Sequence, residues 1–518
     1  MGINRKSPVW EGINIILCVA CFILIVWGTG KYGPGVTHDS VAYLYSAASL
    51  ADGQGLQYFG YTSPFIQWPP MYSFILAVPE GLGLDPLVFT QYFNALVMAL
   101  ALWVGSRTVK RLTQHPMMPT LFILMGLTSF QLLRMAFYVW SEPLFILMST
   151  CTFHLLFTRN HNASKSQSAL IVMALSSAIA CLTRYIGVVV VAVACLYLLV
   201  KVEGFRHKFT KTFLYGFVAV FPTVLYIIRN YLVSGTLVGM RSPSGISLST
   251  NLFRAVKTIA GWLFPVVRNE KPLETWWLAL LALVAIVVGV LVLVQLFKHG
   301  EKRAALVTLI GFCIFYSFYM AVSASKVAFD PISDRYMIPV MVPLLSLLVI
   351  AFDGVLSPLF SKRKAQITSS KWVWGGFTAA FLIFFLLLNG WILYGSTQKA
   401  VLEGAGGFNS DYWQKHGFLS QEALYSDSDM IYSNDPSAVH FLTGKPSHFP
   451  PKTFGIPLYG YEAFLKESET YQKQVIIWFG EETSSTVYTP QMLTKDFVLT
   501  ELSKTDTFTL YAMERKGL

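Results

Sequence analysis

Residues 167–200 read QSALIVMALSSAIACLTRYIGVVVVAVACLYLLV, and the reading of this stretch decides the fold. As one helix, at 1.5 Å per residue, it would be about 51 Å long, whereas a bilayer core is roughly 30 Å thick. Thr183-Arg184-Tyr185 interrupts the apolar run. Two short helices jointed at the outer membrane surface satisfy both facts. Nine further runs are long and apolar enough to cross: 13–30, 86–106, 117–134, 141–158, 212–233, 275–297, 304–322, 336–352 and 372–395. Segment 69–84 is too short and contains Pro79, so it is expected as a helix lying on or dipping into the outer face. With the first span running outward, the inner segments then hold Arg5/Lys6, Arg107/Lys110/Arg111, Arg159/Lys165, Lys201/Arg206/Lys208/Lys211, Lys298/Lys302/Arg303 and Lys362/Arg363/Lys364/Lys371. Short basic clusters belong on the inner side. They all land there only if 167–200 crosses twice and 69–84 does not cross. The expectation is an α-helical polytopic membrane protein of about eleven transmembrane helices, with its C-terminal tail outside.

Composition agrees. Of the 518 residues 54% are hydrophobic and only 13% charged, with mean hydropathy +0.53; soluble chains carry about 25% charged residues. The net charge of +11 divides unevenly. From Gln398 onward 10 Lys+Arg face 15 Asp+Glu, which leaves −5 in the tail and +16 before it. Bases that flank apolar spans answer to membrane topology, so nucleic acid is not an expected partner. Cys18, Cys21, Cys151, Cys181, Cys195 and Cys313 all lie inside apolar runs without metal-ligand spacing, and read as small core residues. The start carries Arg5 and Lys6 before an apolar run with no convincing cleavage site, and reads as a retained first span.

The expected domains are 1–397, a transmembrane catalytic domain with outer loops 31–85 and 234–275, and 398–518, a small extracytoplasmic α/β domain. In the first loop, Thr37-His38-Asp39-Ser40 opens an amphipathic run, 39–50, which Asp52-Gly53-Gln54-Gly55 stops. Trp68-Pro69-Pro70-Met71-Tyr72 follows. In the second loop, 252–264 has apolar residues at helical spacing with Arg254 and Lys257 opposite, which suits a helix lying in the interface. In the tail, β-rich runs at Met430-Ile431-Tyr432, 475–479 and 508–512 alternate with helical segments.

Membrane-edge acids are functional candidates by default. Asp39 stands at a helix start, where the dipole favours negative charge, and this alone accounts for an acid there. Against that bland account, Thr37 and Ser40 already suffice as caps. Tyr43, one turn on, shares its face and can orient a substrate hydroxyl beside a carboxylate base. Glu142, in Ser141-Glu142-Pro143, fits an ordinary helix start equally well. If Asp39 and Glu142 face one cavity, they can share a divalent metal or divide acid–base labour. Arg184 and Arg335 lie on the outer side, where basic residues are disfavoured, with Lys326 near Arg335. Either arginine can simply snorkel to headgroups, and Asp330 or Asp334 can pair Arg335; the functional alternative is a fork for a lipid phosphate. Arg134 is a weaker candidate of that kind. No phosphate-cradling loop, dinucleotide fingerprint, zinc-protease motif or nucleophile elbow is present.

The motifs Asp39-Ser40-Val41-Ala42-Tyr43, Gly53-Gln54-Gly55, Trp68-Pro69-Pro70-Met71-Tyr72, Ser141-Glu142-Pro143-Leu144-Phe145, Leu182-Thr183-Arg184-Tyr185 and Asp334-Arg335-Tyr336 stand in a familiar order. The chain resembles GT-C type glycosyltransferases, in the bacterial branch that includes protein O-mannosyltransferases and the lipid A aminoarabinose transferase. Asn434-Asp435-Pro436 with 441–446 also resembles tails of that branch. The resemblance implies an enzyme of the bacterial plasma membrane that takes a sugar from a polyprenyl-phosphate donor on the outer face. It implies catalytic carboxylates at Asp39 and Glu142, and substrate-binding residues at Tyr43, Arg184, Tyr185, Lys326, Arg335 and Tyr336. The acceptor is a lipid, glycan or protein. The mannosyltransferases carry an Asp-Glu pair where this chain has Asp39-Ser40, which tilts the expectation away from a protein acceptor. A lipid or solute transporter without transfer chemistry is the alternative; such proteins commonly carry repeated halves, which this sequence lacks.

Overall fold

The computed structural model describes residues 8–59, 63–159, 166–239, 241–263, 302–328, 330–359, 369–453, 460–484 and 486–516. Among them, six helices are long and apolar enough to cross a membrane: Pro8–Gly28, Pro86–Leu112, Phe205–Ser234, Arg303–Lys326, Asp334–Ser357 and Trp372–Glu403. Shorter apolar helices run Glu142–Thr158, Gln167–Thr183 and Tyr185–Lys201. The protein is a multi-pass membrane protein. The span expected at 275–297 lies outside the described residues. The one expected at 117–134 is not straight: Met118–Thr128 and Phe130–Phe137 meet at 63°. Ser129 takes an extended backbone there (φ −74°, ψ 97°), and that single residue ends one helix and starts the next.

Residues 167–200 do form two helices, broken at Arg184, which is extended (φ −149°, ψ 131°). Gly187 closes the joint. A Cβ on it would lie 2.6 Å from the Cys181 backbone nitrogen, so only glycine lets the two backbones approach this closely.

Two compact units emerge. One comprises Met1–Gly28, Gln91–Ile227 and Pro243–Lys399; the other comprises Thr29–Thr90, Ile228–Ser242 and Ala400–Leu518. In the first, Arg107 donates to Glu11 at 2.6 Å and Lys110 pairs with the same carboxylate, joining the first span to the next. The interfacial segment of the second loop forms an amphipathic helix, Leu248–Leu263. Its Asn251 side chain donates to Ser325 at 3.0 Å.

In the second unit, the amphipathic run forms a helix, His38–Ala51, and another helix covers Met71–Gly81. Between them a short hairpin pairs β1 (Gln57–Tyr58) with β2 (Ser63–Pro64). Arg229 secures the hairpin by donating to the carbonyls of Phe65 (2.9 Å) and Leu56 (3.2 Å). The tail holds a five-stranded mixed sheet. Its strands are β3 (Met430–Ser433), β4 (Ser447–His448), β5 (Gln474–Phe479), β6 (Phe497–Lys504) and β7 (Phe508–Arg515), in the order β4-β3-β5-β7-β6. β3 runs parallel to β4 and β5, and β7 antiparallel to β5 and β6. Side chains alternate between two cores. Met430, Tyr432, Ile476 and Trp478 pack on one face, and Ile431, Val475, Ile477 and Leu510 on the other. A sheet buried on both faces needs such continuous apolar strands.

Candidate active site

In the first unit, three residues far apart in sequence meet. Glu142 is the first residue of the helix Glu142–Thr158 and is completely buried. Arg184 reaches it from the break between the two short helices. Its Nη1 lies 2.6 Å from Glu142 Oε1. Arg335, on the short helix Asp334–Met337, donates from Nε to the same oxygen at 2.7 Å. A carboxylate out of water is tolerated only when well paired, and two guanidinium groups supply that pairing. The trio carries a net charge of +1. Glu142 Oε2 is buried without a hydrogen-bond partner among the described residues. The arginine side chains keep 17% and 18% of their surface exposed, while Glu142 keeps none.

Aromatic residues set the angles of this cluster. The Arg335 guanidinium lies over the Trp140 ring, 4.2 Å from its centroid, and Trp140 stacks on Tyr138 at 4.1 Å. The indole of Trp262, at the end of the amphipathic helix, donates to Asp334 Oδ1 at 2.8 Å. Asp334 therefore engages that indole while its neighbour Arg335 engages Glu142. Buried Tyr316 donates to the Tyr336 carbonyl at 3.0 Å, fixing the same turn from another helix. Trp140, Trp262 and Tyr316 were not among the expected site residues. Trp140 alone carried a signal, as the aromatic two places before Glu142. Trp262 lies about seventy residues before Asp334, with nothing local to tie the two together.

The remaining expected residues are placed as follows. Tyr185 and Tyr336 are partly exposed beside the two arginines in the chain. Lys326 is exposed at the end of its helix, with its carbonyl accepting from the Ser244 N–H at 3.2 Å. Arg134 lies over the Tyr138 ring at 5.6 Å. Asp39 and Tyr43 belong to the second unit. Asp39 is partly exposed in the first turn of its helix. Tyr43 is 1% exposed, and its ring packs within an aromatic knot, 5.2 Å from Tyr72 and 6.1 Å from both Phe65 and Trp68. Among the described residues no group of three or more His, Cys, Asp or Glu stands ready to hold a metal ion.

Known structures share this architecture. The chain aligns with ArnT from Cupriavidus metallidurans, crystallised with undecaprenyl phosphate, at TM-score 0.61 and 13% identity over 98% of both chains. It aligns with the oligosaccharyltransferase AglB from Archaeoglobus fulgidus, in complex with an inhibitory peptide and a dolichol-phosphate, at TM-score 0.53 and 11% identity. That alignment covers 98% of this chain and 74% of the other. The arabinofuranosyltransferase AftD from Mycobacteria follows at TM-score 0.52 and 13% identity, covering 98% of this chain and 40% of that one. No family model and no curated protein matches the chain by sequence. At such identities the likeness is one of fold: the chain has the fold of the GT-C membrane glycosyltransferases.

Proposed function

We propose that this protein is an integral-membrane glycosyltransferase. It moves a sugar from a polyprenyl-phosphate donor to an acceptor hydroxyl, or another nucleophile, on a lipid, glycan or protein at the extracytoplasmic face of the bacterial plasma membrane. The observation that carries this reading is the Glu142–Arg184–Arg335 cluster, with two guanidinium forks, one carboxylate and a surplus positive charge. Forks of this kind suit a phosphate, and a surplus cation suits a leaving group that gains charge as the bond breaks. The fold supports the same reading, since the ArnT relative was crystallised with a polyprenyl phosphate.

The reaction follows with inversion. Asp39 takes the proton from the acceptor hydroxyl as its oxygen attacks the anomeric carbon. The bond to the lipid phosphate breaks, and Arg184 and Arg335 hold the phosphate that departs. Tyr185, Tyr336 and Lys326 are the further donor contacts of this reading. Tyr43 supports Asp39 through the aromatic knot. Glu142 serves as a positioning residue: both arginines already occupy one of its oxygens, which keeps their forks side by side. A divalent ion at Glu142 would meet the field of two guanidinium groups; the steps above use none.

The test is transfer of label from a radiolabelled prenyl-phosphate sugar by the purified protein in nanodiscs. Arg335→Ala should raise the donor concentration needed for half-maximal rate. A variant with unchanged donor dependence would remove Arg335 from the site. Binding or translocation of the donor without release of its sugar would favour the transporter alternative.

A further inference from the structure

The second unit contains a device that this reaction scheme has not used. The helix that carries Asp39 starts at His38 with Thr37 as its N-cap residue, whose hydroxyl lies 3.1 Å from Ser40 Oγ. A helix start normally needs its free N–H groups satisfied and its entry fixed. In this chain the entry segment, Tyr32 to Val36, is gripped by a segment nearly four hundred residues away. The Phe408 N–H donates to the Val36 carbonyl at 2.7 Å, and Asn409 Oδ1 accepts from the Val36 N–H at 3.0 Å. The Asn409 amide also donates to the carbonyls of Tyr32 (2.6 Å) and Pro34 (2.9 Å). One side chain thus makes three hydrogen bonds to one short segment. Val36 is fully buried, and Asn409 is 7% exposed.

The glycines explain why this segment can approach so closely. Gly404, Gly406 and Gly407 all have positive φ (91°, 111° and 84°). A Cβ at Gly407 would lie 2.1 Å from the Val36 carbonyl oxygen. Any other residue there is excluded twice, by its backbone conformation and by contact.

The grip continues into the helix itself. His38 Nδ1 lies 2.7 Å from Ser437 Oγ, and its Nε2 lies 3.6 Å from Asp435. The His38 ring meets Phe408 edge-on at 5.4 Å. One turn further, His440 packs against Tyr45 (5.4 Å) and Phe59 (5.6 Å). Asn434-Asp435-Pro436 has a local purpose in this. Asn434 is bonded both ways to Phe479, and Asp435 caps the helix Pro436–Thr443 through the Ala438 N–H. That helix then presents Ser437 and His440.

We propose that Gly404–Ser410, together with the Ser437/His440 face of the tail, is a positioning clasp that sets the angle of the first turns of the Asp39 helix. Asn409, Gly407 and His38 are its positioning residues. The clasp rests on the reading of Asp39 as the base for its catalytic consequence, but its existence is separable from that reading.

The test uses the full chain in nanodiscs and two variants that disturb only the clasp. Gly407→Ala forces the segment away from Val36. Asn409→Asp is nearly isosteric, yet it removes both amide donors and sets a carboxylate against two carbonyls. Hydrogen exchange should show lost protection at 36–44 in both variants, with β5 and β7 as protected as before. Transfer should fall about 10²-fold in kcat, the scale of a displaced catalytic group, with the KM for donor unchanged. His38→Gln, which keeps a bond to Ser437, should retain activity that His38→Ala loses. Unchanged exchange at 36–44 in both variants overturns the clasp. Lost protection with normal kcat overturns its positioning role. A wild-type protein that transfers no sugar defeats the transferase reading, while the exchange result still decides whether the clasp exists.

Discussion

The two units hold their candidate residues by opposite means. In the first, Arg184 and Arg335 are held by charge, through a buried carboxylate and the face of Trp140. In the second, Asp39 rides on a helix whose entry is held by neutral backbone hydrogen bonds and aromatic contacts. The difference has a physical basis. Guanidinium groups gathered in a desolvated place repel one another unless a counter-charge lies between them, and Glu142 is that charge. A carboxylate meant to accept a proton gains nothing from a fixed cation, which would hold it ionised and reluctant. Its geometry is better set through the backbone. One site therefore couples function to stability, and the other separates them.

The largest effect expected from this contrast is on rate alone. Asp39→Asn should reduce transfer about 10²- to 10⁴-fold, the usual loss on removing a general base, with the thermal midpoint in detergent unchanged. Wild-type turnover by that variant would take Asp39 out of the chemistry. A loss of stability as large as that of a Glu142 variant would erase the contrast.

Next comes the reverse case. Glu142→Ala leaves two guanidinium groups without their shared partner and should destabilise by about 3–5 kcal/mol, the range for breaking a buried ion pair. It should be seen first as lower yield and a lower melting midpoint. Glu142→Gln keeps the shape and sharpens the test. If Glu142 only positions the arginines, this variant should lose donor affinity more than it loses kcat. A pure kcat loss would make Glu142 a participant in proton transfer.

The smallest effect is one of pH, confined to the tail. Burial holds His440 and His416 below the ordinary imidazole value of 6.5. The unfolded chain therefore binds protons that the folded tail resists, and stability falls as pH drops through 6.5. Burial raises Asp435 above its ordinary 3.8, with nearby His38 opposing, and this works in the other sense from 3.8 upward. The melting midpoint followed by tryptophan fluorescence should decline modestly between pH 7.5 and 5.5, and less so in His440→Gln. An equal decline in that variant would remove His440 as a source.

Much of the architecture was legible because each unit of it is local. Apolar runs of a given length, basic clusters between alternate runs and the interruption at Thr183-Arg184-Tyr185 are sufficient to place helices and the break between them. The amphipathic helix of the second loop followed from periodicity and the tail strands from short β-rich runs. The bend at Ser129 did not, since no proline or glycine occupies the bend itself and an extended serine leaves the apolar pattern intact. The pairing of Arg335 was also misleading at close range. Asp330 and Asp334 are its sequence neighbours, yet Asp334 serves Trp262 and the arginine reaches back to Glu142.

What the chain alone determined was its solvent and its segments: a lipid-embedded helical body, a polar α/β tail, and the acids and arginines eligible for chemistry. Tertiary structure decided the partnerships, because a hydrogen bond or ion pair depends on distances of about 3 Å that no local pattern encodes. Three charged residues, two on helices and one at a break between helices, became one cluster in this way. Likewise an asparagine in the tail became the hold on a segment near the start.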